Sequence, residues 1–146
     1  MDLTPVLEAI PHREPFLFID EITHYEPGLI RCRKTFTGNE FFFAGHYPGF
    51  PLVPGVILCE SILQAGAILL AKMSESDNEI IGKLPVVAKM GEVRFKKMVQ
   101  PGDTIDIEIN YVEKLTSVFF LHGKMRLQDK TILQLDFACA MTDKAR

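Results

Sequence analysis

The chain has 146 residues, 47% of them hydrophobic, and 16 basic against 19 acidic side chains give it a formal charge of −3. That balance excludes a disordered polyelectrolyte and a general nucleic-acid binder, and the length suits one domain, residues 1–146, burying roughly 70% of its unfolded surface. Cys32, Cys59 and Cys139 include no C-x-x-C pair and leave an odd number. This excludes a disulfide framework and a zinc site, and fits a reducing cytoplasm.

Met-Asp-Leu-Thr-Pro opens the chain without the basic and apolar runs of a secretory signal. The segment Leu3 to Ile10 predicts a short helix, with Thr4 as its cap and Pro5 just inside, ended by Pro11 and covering a sheet edge. Phe16 to Tyr25 reads as a strand. Glu26-Pro27-Gly28 turns it into Leu29 to Phe36, where Ile30, Cys32 and Lys34 alternate with Leu29, Arg31 and Arg33, a hairpin with one wet face. Phe41-Phe42-Phe43 is read first as core aromatic packing, with the lining of an apolar tunnel as the other use of the same rings.

The next stretch carries the chemistry. Pro48, Pro51 and Pro54 fix an extended, stiff path that stops at a helix from Val56 to Met73. No Ser, Thr, Asp or Asn stands between Phe50 and Leu58 to cap that helix, so its first N–H groups remain free for a ligand. The helix approaches membrane-spanning length, but Glu60, Ser61, Gln64 and Lys72 make it a core helix, apolar nearly all round and so surrounded by other elements. Val56, Glu60, Gln64 and Ala67 share one face, and Cys59 points about 100° away from Glu60. Glu60 and His46 are a carboxyl and an imidazole in an otherwise apolar stretch, and read as an acid and a base. Apolar neighbours favour the protonated carboxyl, and an imidazole is suited to take a proton near neutral pH. Gly55 is the candidate oxyanion donor, because it has an N–H and no side chain to block approach. Gln64, one turn beyond Glu60, is placed to orient the carboxyl or a water.

Ser74 to Asn78 ends the helix. From Leu84 onward the pattern is strands: Val86 to Lys97, then Pro101-Gly102, then Asp103 to Val112, with Ile105, Ile107, Ile109 and Tyr111 on one face. Val118 to Leu127 and Ile132 to Met141 flank Gln128-Asp129-Lys130-Thr131 as a second hairpin. Six strands and one buried helix predict an α+β domain in which an antiparallel sheet curls around the helix. Lys89, Arg94, Lys96 and Lys97 are the densest basic group, read either as a solvated strand face or as a docking patch. His24 and His122 lack metal-ligand spacing, and no metal is expected. His12 and Arg13 are given no role in the chemistry.

Gly45-His46-Tyr47-Pro48-Gly49-Phe50-Pro51, followed by Pro54-Gly55, Glu60 and Gln64, resembles the signature of the β-hydroxyacyl-(acyl carrier protein) dehydratases of fatty-acid synthesis, FabZ type. Pro11-His12-Arg13, Pro15-Phe16, Asp20, Asn39-Glu40, Arg94-Phe95 and Pro101-Gly102-Asp103 extend the resemblance over nearly the whole chain. Glu60, where the related dehydratase-isomerases carry Asp, favours the simple dehydratase. The sequence departs from the pattern at Glu14, Phe41, Ala44 and Tyr47. The resemblance implies a hot-dog fold and dehydration of a (3R)-3-hydroxyacyl chain on acyl carrier protein to the trans-2-enoyl product. His46 is then the base and Glu60 the acid, with Phe42 and Phe43 suited to line an acyl tunnel. It also implies a homodimer with sites shared between subunits, hexamers as trimers of dimers, and no cofactor beyond the phosphopantetheine that the carrier brings. Lys89, Arg94, Lys96 and Lys97 would then receive the acidic carrier. A hot-dog thioesterase and a non-catalytic carrier-binding subunit are the alternatives.

Overall fold

The computed structural model of the chain describes residues 1–75 and 82–143. In chain order the elements are α1 (Thr4–Ala9), β1 (Glu21–Glu26), β2 (Leu29–Thr35), a 3₁₀ turn (Phe41–Ala44), α2 (Gly55–Ser74), β3 (Leu84–Phe95), β4 (Thr104–Leu115), β5 (Val118–Leu127) and β6 (Lys130–Thr142). The strands form one sheet in the order β1-β2-β4-β5-β6-β3, every neighbouring pair antiparallel. Helix α2 packs against β2, β3, β4 and β5. This is the expected α+β hot-dog arrangement of six strands and one long helix.

Alternation decides which face of the sheet meets α2. Ile105, Ile107 and Ile109 of β4 are at most 1% exposed, as are Ile30 and Cys32 of β2, while Asp106 and Arg31 face outward. Each such apolar side chain contributes about 1.5–3 kcal/mol when fully buried. Two glycines let the helix approach the sheet closely. A Cβ on Gly66 would lie 2.5 Å from the Phe137 ring, and one on Gly123 would run into Ile62. Lys34, the polar residue on the inward face of β2, is buried against Asp20 with Nζ 3.3 Å from Oδ1. Asp20 also accepts the Thr35 N–H, so the buried ammonium has its counter-charge and that carboxylate a second donor.

Several expectations need correction. Thr4 does not cap α1: Leu3 is the N-cap, with no side-chain cap bond, and the Asp2 carboxylate takes the Thr4 N–H instead. Phe16 to Asp20 lies outside β1, which begins at Glu21, because a side chain from α2 occupies the backbone groups a neighbouring strand would have paired. The proline segment is extended only in its second half. Tyr47 has φ +51°, and Phe50 N–H returns to Tyr47 O, so Pro48-Gly49 form the middle of a tight turn, as that dipeptide prefers. β3 runs two residues earlier than expected at both ends, and β4 continues to Leu115 past a bulge. The β5–β6 turn is only Gln128-Asp129, both with positive φ, a geometry that matches the twist of a two-residue hairpin. Of the residues expected to end α2, Ser74 is its last and Glu75 its C-cap, while Ser76 to Asn78 lie outside the described residues.

Two features of the outline matter for function. Helix α1, with Val6 fully buried, packs on β1 and α2, as expected of an edge cover. The opposite edge strand, β3, pairs among the described residues only with β6 and leaves Val86, Val87, Met90, Val93 and Phe95 at 37–52% exposure. Helix α2 is long and apolar enough to cross a bilayer by composition, yet 67% of that stretch is buried inside the fold. Contrary to expectation it is not surrounded on every side, since Val56 is 76% exposed and Glu60 and Leu63 are only half-buried.

Candidate active site

Gln64 is 1% exposed and makes three hydrogen bonds. Its Oε1 accepts the Phe18 N–H at 2.8 Å, and its Nε2 donates to Phe16 O at 3.0 Å and to Glu60 Oε2 at 3.0 Å. The two backbone partners fix which end of the amide is nitrogen. Oε2 of Glu60 is therefore held by a donor, one turn from its own backbone. The spacing of four residues on α2 makes this meeting possible.

His46 stands at the far end of the proline turn, half-buried, with its ring edge-on to Tyr47 at 4.6 Å. Its Nδ1 lies 3.1 Å from Leu52 O. A carbonyl only accepts, so Nδ1 carries a hydrogen, and in the neutral ring Nε2 presents the lone pair. Val53 N–H bonded to Val99 O at 2.8 Å pins the segment between this ring and α2. Among the described residues, no hydrogen bond or ion pair joins His46 to Glu60 within one chain.

The start of α2 is as free as the sequence implies. Pro54 is the N-cap, without a side-chain cap bond, and Pro54 O is the acceptor for Ile57 and Leu58 N–H, leaving the N–H groups of Gly55 and Val56 ahead of them. Gly55 also packs closely, since a Cβ there would lie 3.0 Å from the Phe95 ring of β3, which would have to shift to admit it. Phe95 is thus a neighbour of the candidate oxyanion donor that periodicity alone does not single out.

The remaining candidates separate. Phe42 and Phe43 are buried in the aromatic cluster of Phe18, Phe36 and Phe41, which is the core packing expected of them. The carboxylate of Glu40 accepts the N–H of Thr37 and Gly38 to shape the turn before these rings. Burial alone would raise its pKa, but those bonds and the Lys34 charge hold it below the usual range. Lys89, Arg94, Lys96 and Lys97 are all exposed, on β3 or just beyond it, and no ion pair engages them among the described residues. Burial pushes the Cys32 thiol up to about 12 and that of Cys139 to about 11, and raises that of Cys59, so none is a ready nucleophile. Among the described residues no three His, Cys, Asp or Glu side chains gather as a metal set.

One residue near the carboxyl goes unread in the sequence. His12 Nε2 lies 3.7 Å from Glu60 Oε2, although 48 positions separate the two residues. Only the Pro11-His12-Arg13 motif, whose role spacing cannot supply, marks the residue in advance. His12 also lines a groove of about 710 Å³ that runs beside Ala67 and Ala71 of α2 to Leu84 and Val86 of β3.

The fold is that of a hot-dog protein, with Glu60 on α2 and His46 on the preceding turn as its candidate acid and base. The FabA-like domain family matches residues 10–136. A 3-hydroxyacyl-[acyl-carrier-protein] dehydratase FabZ of Campylobacter hominis is 32% identical over 99% of this chain and 99% of its own length. The dehydratase of the same name from Caulobacter vibrioides is 37% identical over 98% of this chain and 89% of its own. Among solved structures, the dehydratase heterocomplex ApeI:P from Xenorhabdus doucetiae superposes with a TM-score of 0.81 at 17% identity, covering 96% of this chain and 92% of that one, a likeness of fold. The chain belongs to the FabA-like family, within its FabZ-type dehydratases.

Proposed function

We propose that the protein removes water from a (3R)-3-hydroxyacyl chain carried on acyl carrier protein, giving the trans-2-enoyl thioester in fatty-acid biosynthesis. His46 takes the proton beside the thioester carbonyl through Nε2, the nitrogen that its bond to Leu52 O leaves bare. Glu60 gives a proton to the departing hydroxyl, which leaves as water. The negative charge on the thioester oxygen is met by the Gly55 N–H at the positive end of α2; a comparable donor is worth about 3 kcal/mol. Gln64 orients Glu60. Phe42 and Phe43 line the path of the acyl chain in this reading, which is supported by the packing of Phe42 on Phe18, whose N–H Gln64 accepts. These proton transfers require no prosthetic group, and the phosphopantetheine arm arrives with the carrier.

The assembly we propose is a homodimer in which His46 of one subunit serves Glu60 of the other, with a trimer of dimers as the larger form. Two observations support it: the two side chains are unlinked within a chain, and β3 offers an unpaired, apolar edge beside the uncovered stripe of α2. The exposed cations Lys89, Arg94, Lys96 and Lys97 receive the acidic carrier. The setting is cytoplasmic, in keeping with three free, buried thiols.

The observation that carries the proposal is the contact of His46 Nδ1 with Leu52 O at 3.1 Å, which turns Nε2 outward as the free ring nitrogen. Incubation with a 3-hydroxyacyl carrier thioester tests it. The account predicts the ultraviolet absorbance of a conjugated enoyl thioester, lost in both His46→Ala and Glu60→Gln. Release of free thiol instead would make the protein a thioesterase, and undiminished turnover in both variants would overturn the assignment.

A further inference from the structure

We infer that His12 is a positioning residue for Glu60, and that Glu60 delivers its proton from Oε1. The inference rests on Glu60 being the acid and deepens that reading. Two groups converge on one carboxyl oxygen: Gln64 Nε2 at 3.0 Å and His12 Nε2 at 3.7 Å both address Oε2. The Gln64 nitrogen can only donate, since its oxygen is taken by Phe18 N–H. Oε2 is therefore an acceptor, and the proton of the neutral acid resides on Oε1.

The tautomer of His12 follows from its other nitrogen. Nδ1 is buried and has no hydrogen-bond partner among the described residues. A bare Nε2 would set its lone pair against the acceptor oxygen of Glu60 and leave the hydrogen on an unmatched Nδ1, so the hydrogen sits on Nε2, facing Glu60. His12 then adds a second donor to the anchored oxygen, and a small movement of either side chain closes 3.7 Å to a hydrogen bond.

Arg13 explains why the imidazole stays there. Its Nη1 donates to Ile10 O at 2.8 Å and His12 O at 2.7 Å, and its Nη2 to Leu7 O at 2.9 Å. One guanidinium thus ties the loop bearing His12 to the end of α1, whose Val6 is locked in the core. The motif Pro11-His12-Arg13 therefore reads as a stop, a positioning imidazole and the staple that fixes it.

When Glu60 gives its proton from Oε1 to the hydroxyl, the carbon–oxygen bond breaks and water departs. The electron pair freed at the neighbouring carbon, whose proton His46 has taken, forms the double bond. The carboxylate left behind keeps its orientation through Oε2. His12 acts on the reaction through Glu60, so its loss registers in turnover rather than in binding.

The test uses the full chain and a 3-hydroxyacyl carrier thioester, comparing His12→Phe, His12→Gln and Glu60→Gln. Glutamine keeps an N–H donor near the position of Nε2, and phenylalanine keeps the ring without it. The expected result is a kcat about 10- to 100-fold lower in His12→Phe with KM within about 2-fold of wild type, and recovery of most of that loss in His12→Gln. A wild-type kcat in His12→Phe, or equal losses in both His12 variants, overturns the positioning role while Glu60→Gln remains inactive. Wild-type turnover in Glu60→Gln would instead overturn the underlying acid assignment, and with it the role of Oε1.

Discussion

Gln64 shows how much one buried amide can decide. Its three hydrogen bonds hold the non-strand segment at Phe16–Phe18 and the Glu60 carboxyl at once. Replacing it with Leu leaves the Phe18 N–H buried and unpaired, which should lower stability by about 1–3 kcal/mol in urea unfolding. The same variant should lose kcat, because Glu60 is released from its main anchor. A stability equal to wild type would contradict the structural half of this argument, whatever the activity. The thiols, by contrast, take no part at this scale. Cys32 and Cys139 sit in the core with pKa values raised by burial alone, to about 12 and about 11.

At the scale of elements, close contact between α2 and the sheet is the main structural requirement, and Gly123 and Gly66 permit it. Gly123→Ala drives a methyl group into Ile62 of α2, with Ile109 3.3 Å away on the other side. The expected cost is about 1–3 kcal/mol, a fall of roughly 3–10 °C in the thermal midpoint, and an unchanged midpoint would contradict it. Much of this layer is readable in the sequence, because β4 alternates isoleucine with charge and α2, apolar nearly all round, still carries Glu60, Ser61, Gln64 and Lys72, the mark of a core helix. Its uncapped start is readable for the same local reason, the lack of short polar residues before Leu58. What the sequence hides are partners distant along the chain. Phe16–Phe18 looks like a strand by composition, yet its hydrogen bonds go to a glutamine 46 to 48 positions away. His12 meets Glu60 across a similar gap, which no periodicity encodes. The tight turn at Tyr47–Phe50 is local but ambiguous: three prolines suggest extension, and only Gly49 in the second central position says otherwise.

At the scale of the whole molecule, the proposed assembly sets a carrier protein against the cations around β3 and a second subunit along its open edge. Lys96→Glu combined with Lys97→Glu should raise KM for a carrier-bound substrate about 10-fold and leave KM for the corresponding small pantetheine thioester unaltered. An equal change with both substrates would place the effect in the catalytic cavity instead of on a docking surface. The most direct test of the shared acid–base site mixes His46→Ala with Glu60→Gln, each inactive alone, under conditions where subunit exchange is demonstrated. Random pairing should give hybrid dimers with one intact site each, restoring about a quarter of wild-type enoyl formation by ultraviolet absorbance. No recovery in a mixture that has visibly exchanged subunits would contradict the claim that one subunit's imidazole works with the other's carboxyl.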